Sequence, residues 1–182
     1  KLWALERLDW IPHRHQIDIS ADIVEACAYH LWALRDSEAH GLAALILGGG
    51  VPKNYILQPE PALSQIFRLD GIRGYDYDVQ IVSSPVTDGS LSSCFPSEAV
   101  TWGKIFPDTY RRTTESLQAD YSMVMPFIVR ALLEDADLER RPQLQLYKER
   151  KDCVDALLGE ISKNREKINE TLAFTPVATN PY

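Results

Sequence analysis

The sequence predicts an α/β fold, in which a parallel β-sheet has helices packed on both of its faces. Residues 42–50 (LAALILGGG) and 77–84 (YDVQIVSS) are apolar runs that end in turn residues, which is typical of buried strands. Segments with helical spacing lie before, between and after them, and strands that alternate with helices indicate a parallel sheet. Two strands do not make a stable sheet. We therefore expect a third strand at 112–119, or strands supplied by residues outside this chain.

Three segments carry the clearest helical spacing. Residues 19–41 repeat apolar side chains every three or four positions, with Ser20 as the possible N-cap and Gly41 past the end. Residues 120–135 (DYSMVMPFIVRALLED) predict a buried helix. Residues 144–171 alternate apolar side chains with dense charge and predict one long amphipathic helix on the outside of the fold. No linker or repeat divides the chain, so residues 1–182 are expected to belong to a single domain.

Composition narrows the classes of function. The chain has 182 residues, of which 45% are apolar and 25% charged, as in ordinary globular proteins. It lacks any run of 18 apolar residues, which argues against a membrane span. Cys27, Cys94 and Cys153 are far apart and form no CxxC pair, which argues against a zinc site and suits a reducing cytosol. The net charge of −7 disfavours a nucleic-acid partner and is compatible with a cationic ligand.

A glycine turn follows the first predicted strand. Gly48, Gly49 and Gly50 separate that strand from the next helix, and open α/β sheets bind ligands at the carboxyl ends of their strands. The spacing is not GxGxxG, so the turn alone leaves open both a ligand site and a tight connection. The loop at 85–94 (PVTDGSLSSC) follows the second strand at the same edge. Together the two loops favour a site there, on a rim shared with the segment that follows.

That following segment is 97–105 (SEAVTWGKI). Glu98 and Trp102 are four residues apart and would share one face of an α-helix, where a carboxylate and an indole can seat an ammonium group. Lys104, two residues further on, could attack a carbonyl or imine carbon as a free amine. The alternative is that Glu98 begins the helix, Trp102 packs in the core and Lys104 is a favourable charge at the helix end.

Residues 45–57, 73–105 and 118–134, taken together, resemble deoxyhypusine synthase and its bacterial relatives. The resemblance implies a Rossmann-like fold that binds NAD and oxidises spermidine. It implies that Lys104, the lysine of the EAVTWGKI motif, holds the aminobutyl group as an imine after 1,3-diaminopropane has left. The group then passes to an acceptor amine, and the new imine is reduced.

The resemblance also implies roles for other residues. Glu98 and Trp102 match the residues that seat the polyamine, and Gly89 and Ser90 match the loop beside it. The positions that match the family's NAD contacts are Gly49, Ser83, Asp120 and Tyr121.

Two positions depart from the eukaryotic pattern. Asn54 stands where those members have a histidine, and Leu91 stands where they have an acidic residue, and both of those side chains help to hold spermidine. The polyamine or its orientation is therefore expected to differ. The bacterial branch with the VPKN form includes enzymes that transfer the aminobutyl group to a small diamine such as putrescine. A small diamine and a protein lysine therefore both remain possible acceptors.

The resemblance covers the family's C-terminal half. Because the sequence does not begin with Met, we expect a processed chain or a piece of a longer protein. The resemblance implies a cytoplasmic homotetramer whose sites are shared between subunits, or an assembly with a chain that supplies the N-terminal half. An alternative of another class is a noncatalytic or degenerate subunit that stabilises an active partner, although such a subunit would not need Glu98, Trp102 and Lys104 together.

Overall fold

The computed structural model describes residues 18–36, 41–135 and 145–172, which fold around a sheet of three parallel strands. Strand β1 (Ala43–Leu47) pairs with β2 (Tyr77–Val82), and β2 pairs with β3 (Thr114–Gln118), so the strand order follows the sequence. The third strand lies within the expected segment 112–119. The predicted α/β fold with a parallel sheet is confirmed.

Helices connect the strands and pack beside them. They are α1 (Ile19–Arg35), α2 (Gly50–Ile56), α3 (Pro59–Pro61), α4 (Tyr110–Thr113), α5 (Tyr121–Leu133), α6 (Leu146–Lys163) and α7 (Arg165–Leu172). A π-helical turn, Ala62–Ile66, continues α3, and 3₁₀ turns form at Val86–Asp88 and Pro96–Trp102.

One apolar core lies between α1, α6 and the π-helical turn. Leu63 and Leu157 are fully buried there against the Cys27 side chain of α1. Burial of each leucine stabilises the fold by about 1.5–3 kcal/mol relative to an exposed side chain. Helix α1 therefore holds the charged helix α6 against the rest of the fold.

A second core covers one face of the sheet. Ala44 and Ile46 of β1 point to that face and pack with Leu57, which follows α2, and with Tyr75, which precedes β2. The Tyr75 hydroxyl donates a hydrogen bond to the Ile56 carbonyl at 2.9 Å. Helix α2 therefore begins at the carboxyl edge of the sheet and runs back to its amino edge.

The opposite face of the sheet is exposed. Leu45, Tyr77, Val79 and Leu117 lie on it with 51%, 57%, 37% and 44% of their surfaces accessible. Parallel sheets are ordinarily covered on both faces. Within the described part of the chain, the expected helices cover one face and leave this apolar face open, as a partial domain would.

Helix α5 departs from the prediction of a buried helix. It forms at Tyr121–Leu133, within the expected segment, but none of its residues is buried. Met123, Phe127 and Leu133 are 70–77% exposed. The apolar content predicted the helix correctly, whereas its burial needs a surface that the described residues do not supply.

Two helix boundaries also differ from the prediction. Helix α1 is capped by Asp18, whose side chain accepts a hydrogen bond from the Ala21 amide, so Ser20 is not the N-cap. The single helix expected at 144–171 is divided into α6 and α7 at Asn164, whose side-chain amide donates to the Arg68 carbonyl at 2.8 Å. Residue 144, the N-terminal residues 1–17 and the tail from 173 onward lie outside the described residues.

A search of the described helices finds none with both the length and the apolar character that a membrane span requires.

Candidate active site

The two predicted loops meet at the carboxyl edge of the sheet. The Gly48 amide, just past β1, donates to the Ile81 carbonyl at 2.9 Å. A Cβ built on Gly50 would lie 3.2 Å from the Leu91 Cβ, so the glycine turn packs directly against the loop that follows β2. The Ala119 amide donates to the Val82 carbonyl and brings the end of β3 to the same edge.

The residues expected to contact NAD surround this edge. A Cβ on Gly49 would meet none of the described residues within 4 Å, so they leave open space above the turn, and a Cβ on Gly48 would lie 4.0 Å from the Tyr121 ring. Ser83 and Asp120 are both exposed. The Asp120 side chain caps α5 by accepting hydrogen bonds from the hydroxyl and amide of Ser122, which lower its pKa.

The residues expected to seat the polyamine are largely exposed. Gly89 has a φ of 68°, in the left-handed region that glycine favours, and the Ser90 hydroxyl lies 2.6 Å from that of Ser92. The Asn54 side-chain oxygen accepts a hydrogen bond from Gln58 at 2.7 Å. The described contacts thus join each of these polar groups to a near neighbour in sequence.

Glu98 and Trp102 lie on a 3₁₀ helix, which changes their predicted relation. With three residues per turn, positions four apart are displaced by about a third of a turn, so the two side chains do not share one face as they would on an α-helix. Both are exposed, Trp102 to 68%. The alternative in which Trp102 packs in the core is therefore wrong, and the exposed indole can contact a ligand.

The backbone of Lys104 is fixed on both sides. Its amide donates to the Ala99 carbonyl at 3.1 Å, and its own carbonyl accepts from the Tyr75 amide at 2.9 Å. A Cβ on Gly74 would overlap the Lys104 carbonyl group, so only glycine permits this approach. The half-buried side chain places its ammonium 5.8 Å from the centre of the Trp102 ring, within range of a cation–π interaction.

Lys104 lies at the opposite edge of the sheet from the glycine turn. Ile105 forms a parallel bridge with Tyr75, which precedes β2, whereas Gly49 and Ser83 follow strands at the carboxyl edge. Ser83 is eight positions after Tyr75, and eight fully extended steps span at most about 26 Å. The prediction that both loops and Lys104 share one rim is wrong, because the 3₁₀ helix carries the chain back along the sheet.

Lys53 is a buried cation that the sequence analysis missed. Only 2% of its surface is accessible, and its ammonium donates to the Cys94 carbonyl and lies 3.3 Å from the Cys94 sulfur. It ties α2 to the loop before the 3₁₀ helix. Asp78, on the covered face of β2, is fully buried, and among residues 18–36, 41–135 and 145–172 neither of its oxygens has a hydrogen-bond partner. The sequence does contain a signal for Asp78, because an acidic residue stands inside a strand that is otherwise predicted to be buried, in the segment YDVQIV.

No group of three or more His, Cys, Asp or Glu side chains within residues 18–36, 41–135 and 145–172 is arranged to hold a metal ion.

Fold and site together define a parallel α/β domain with an open glycine turn at one edge of the sheet and a fixed lysine at the other. A family model described as deoxyhypusine synthase matches residues 2–132. The chain belongs to the deoxyhypusine synthase family.

Similar proteins include bacterial and archaeal members. A deoxyhypusine synthase-like protein of Thermosynechococcus vestitus is 35% identical over 168 residues, which cover 91% of this chain and 41% of that protein. One of Cyanothece sp. is 32% identical, covering 91% of this chain and 44% of the relative. A probable deoxyhypusine synthase 2 of Methanosarcina acetivorans is 34% identical, with 71% and 36% covered. The chain therefore spans about two fifths of the length of these relatives.

Proposed function

We propose that this chain carries the lysine and part of the NAD site of an enzyme that transfers an aminobutyl group from spermidine, or a related polyamine, to an acceptor amine. The observation that carries the proposal is the setting of Lys104. Its backbone is fixed by Gly74, Tyr75 and Ala99, and its ammonium faces an exposed indole. A residue that only ended a helix would not need a backbone held on both sides.

The carboxyl edge suits NAD as the cofactor. The open space above Gly49 and the Tyr121 ring beside Gly48 leave room for a flat or phosphate-bearing group close to the backbone. Ser83 and Asp120 add exposed polar groups at the same edge. When bound, NAD supplies a site that takes a hydride from the polyamine and later returns one to the product imine.

We assign polyamine binding and the transfer of the aminobutyl group to residues of this chain. Glu98 supplies a counter-charge and Trp102 a π-face for the ammonium end of the polyamine, while Gly89, Ser90 and Asn54 border it. The free amine of Lys104 attacks the imine carbon of the oxidised polyamine. The carbon–nitrogen bond to 1,3-diaminopropane breaks, and that amine leaves with a proton. The acceptor amine, a small diamine or a protein lysine, then displaces Lys104 in the same manner.

Lys104→Arg tests this assignment. The guanidinium keeps the charge but stays protonated and cannot form an imine, so the intact protein should lose aminobutyl transfer and retain some polyamine-dependent NADH formation. Arg and Lys have similar helix propensities, and thermal stability should hardly change. A variant that still makes aminobutyl product at a comparable rate would show that Lys104 is only a surface charge.

We further propose that the site is completed between chains. Lys104 lies beside Tyr75 at the amino edge of the sheet and the glycine turn lies at the carboxyl edge, so the length of strand β2 (Tyr77–Val82) lies between them, which is more than one lysine side chain can bridge. Another chain would therefore bring the carboxyl edge of its sheet, with NAD, to Lys104. That chain is either a second copy in a homo-oligomer such as a tetramer or a chain that corresponds to the N-terminal part of the relatives. The exposed apolar sheet face and helix α5 supply surfaces that such an assembly can bury.

Subunit complementation tests the shared site. Lys104→Arg protein should transfer no aminobutyl group because it lacks the nucleophile, and Gly49→Val protein should transfer little at NAD concentrations below its raised Kd, because the side chain fills cofactor space. Mixed oligomers of the two should regain part of the activity if the cofactor edge of one copy serves Lys104 of another. Oligomers that are mixed by mass but stay inactive would place both groups in a site within one chain.

The same proteins address the second candidate, a noncatalytic subunit. The exposed apolar surfaces favour a partner in that case too, but activity of the assembly would not depend on Lys104 of this chain.

A further inference from the structure

Lys53 and Cys94 bring a buried ammonium into contact with a thiol. The ammonium donates a hydrogen bond to the Cys94 carbonyl and lies 3.3 Å from the Cys94 sulfur. Lys53 is 2% exposed, and among the described residues Cys94 alone supplies its hydrogen-bond partners. Cys94 is partly exposed and carries a free thiol. A small solute therefore has access to a cysteine that a buried cation already contacts.

Neighbouring contacts hold both side chains in place. The carbonyl of Ser92, two residues before Cys94, accepts a hydrogen bond from the buried Gln80 side chain of β2 at 2.9 Å. The loop that contains Cys94 also packs against Gly50, at the start of the helix that carries Lys53. Groups that a fold holds together react as if at a very high local concentration. The amine nitrogen and the sulfur are therefore positioned to react with each other once the sulfur is activated.

We propose that hydrogen peroxide oxidises Cys94 and that Lys53 captures the product in a covalent sulfur–nitrogen bond. The Cys94 thiolate attacks one peroxide oxygen, the oxygen–oxygen bond breaks, and the Lys53 ammonium gives a proton to the departing hydroxide. This step leaves a sulfenic acid, a neutral amine and water. The amine nitrogen then attacks the sulfur, and the sulfenic hydroxyl leaves with an amine proton as a second water. The sulfur loses two electrons, which reduce the peroxide.

The position of the charge suits the first step. Peroxide reacts with the thiolate form of cysteine, and a neighbouring ammonium stabilises the negative charge on sulfur. The proton that the departing hydroxide needs comes from that same ammonium. An added thiol would break the sulfur–nitrogen bond and restore both side chains, because thiolates attack oxidised sulfur. The modification is therefore reversible, and it links α2 to the loop that leads into the 3₁₀ helix of Glu98 and Trp102.

The other two cysteines are internal controls. Cys27 is 0% exposed and Cys153 is 4% exposed. Burial raises the pKa of the Cys27 thiol to about 11 and also raises that of the Cys153 thiol. Because buried apolar surroundings disfavour the thiolate, peroxide should leave both thiols reduced. Selective loss of the Cys94 thiol is therefore the first expected result.

The test treats the intact protein with hydrogen peroxide, alkylates the remaining thiols under denaturing conditions, digests the chain with trypsin without reductant, and measures peptide masses. A bonded Lys53 resists trypsin, so residues 36–68 should appear joined to residues 74–104, with a mass about 2 Da below the sum of the two peptides. Dithiothreitol should separate them. The two buried cysteines should remain open to alkylation while the joined pair forms.

Two variants test the two partners. Cys94→Ser should form no joined pair. Lys53→Arg keeps a cation, but its guanidinium stays protonated and cannot capture the sulfur, so dimedone should label Cys94 as a sulfenic acid instead. The procedure needs neither NAD nor spermidine, so its result is independent of the proposed aminobutyl transfer.

Three results would overturn the inference. They are the absence of a joined pair in wild type, a joined pair that carries an extra oxygen atom, and a joined pair that persists in Lys53→Arg. Should Lys53→Arg not fold, the wild-type digest decides, because a joined pair that trypsin has cleaved after Lys53 excludes a bond to that nitrogen.

Discussion

Replacement of the buried Asp78 by Asn should change how stability depends on pH. Burial raises the pKa of the Asp78 carboxyl from 3.8 to about 6, with Lys53 acting in the opposite direction. Between these values the folded chain binds more protons than the unfolded chain, so the Asp78 contribution to stability falls as pH rises from about 4 to about 6. A shift of this size corresponds to about 3 kcal/mol.

The assay is urea unfolding of wild type and Asp78→Asn from pH 4 to pH 8. Asn keeps the shape and cannot ionise, so its free energy of unfolding, taken relative to wild type, should rise by about 2.4 kcal/mol between pH 4 and pH 7, slightly less than the full shift because the unfolded carboxyl is already partly ionised at pH 4. Leu63→Ala is the matched control. It removes buried apolar volume, costs roughly 2–5 kcal/mol, and should lower stability equally at each pH. A difference between Asp78→Asn and wild type that is the same at pH 4 and pH 7 would refute the reasoning.

Two further substitutions test the ligand contacts. Gly49→Val should weaken NAD binding in calorimetric titration by at least about tenfold while the unfolding midpoint stays near that of wild type, because its Cβ meets open space in the free chain; unchanged affinity would mean that the turn does not face the cofactor. Glu98→Gln should reduce polyamine affinity by roughly 1–3 kcal/mol and leave NAD affinity unchanged, because it removes a counter-charge from an exposed side chain. Equal loss of both ligands would indicate a structural role for Glu98.

The parts of the fold that could be predicted are those with local signals. The run LAALIL predicts β1 because a short apolar segment before glycines is typical of a buried strand, and β3 lies in the segment expected from the need for a third strand. Helix α5 was also identified by its apolar content. Its exposure could not be predicted, because burial depends on what packs against a helix and not on the helix alone.

The candidate site, like the fold, could be predicted from the sequence only in part. The glycine turn and the loop after β2 meet as their positions after neighbouring parallel strands predict. The location of Lys104 was mispredicted, because one sequence does not reveal whether residues 96–102 form an α-helix or a 3₁₀ helix, nor that they return to Tyr75.

The most direct measurement is the mass of the chain after reaction. The intact protein is incubated with NAD and spermidine, reduced with borohydride, digested, and analysed by mass spectrometry, with Lys104→Arg as the control. The account predicts that the peptide containing Lys104 gains the mass of one aminobutyl group, that the gain requires NAD, and that the control lacks it. An adduct on Lys53 or another lysine, or transfer to the acceptor with no adduct at Lys104, would contradict the account.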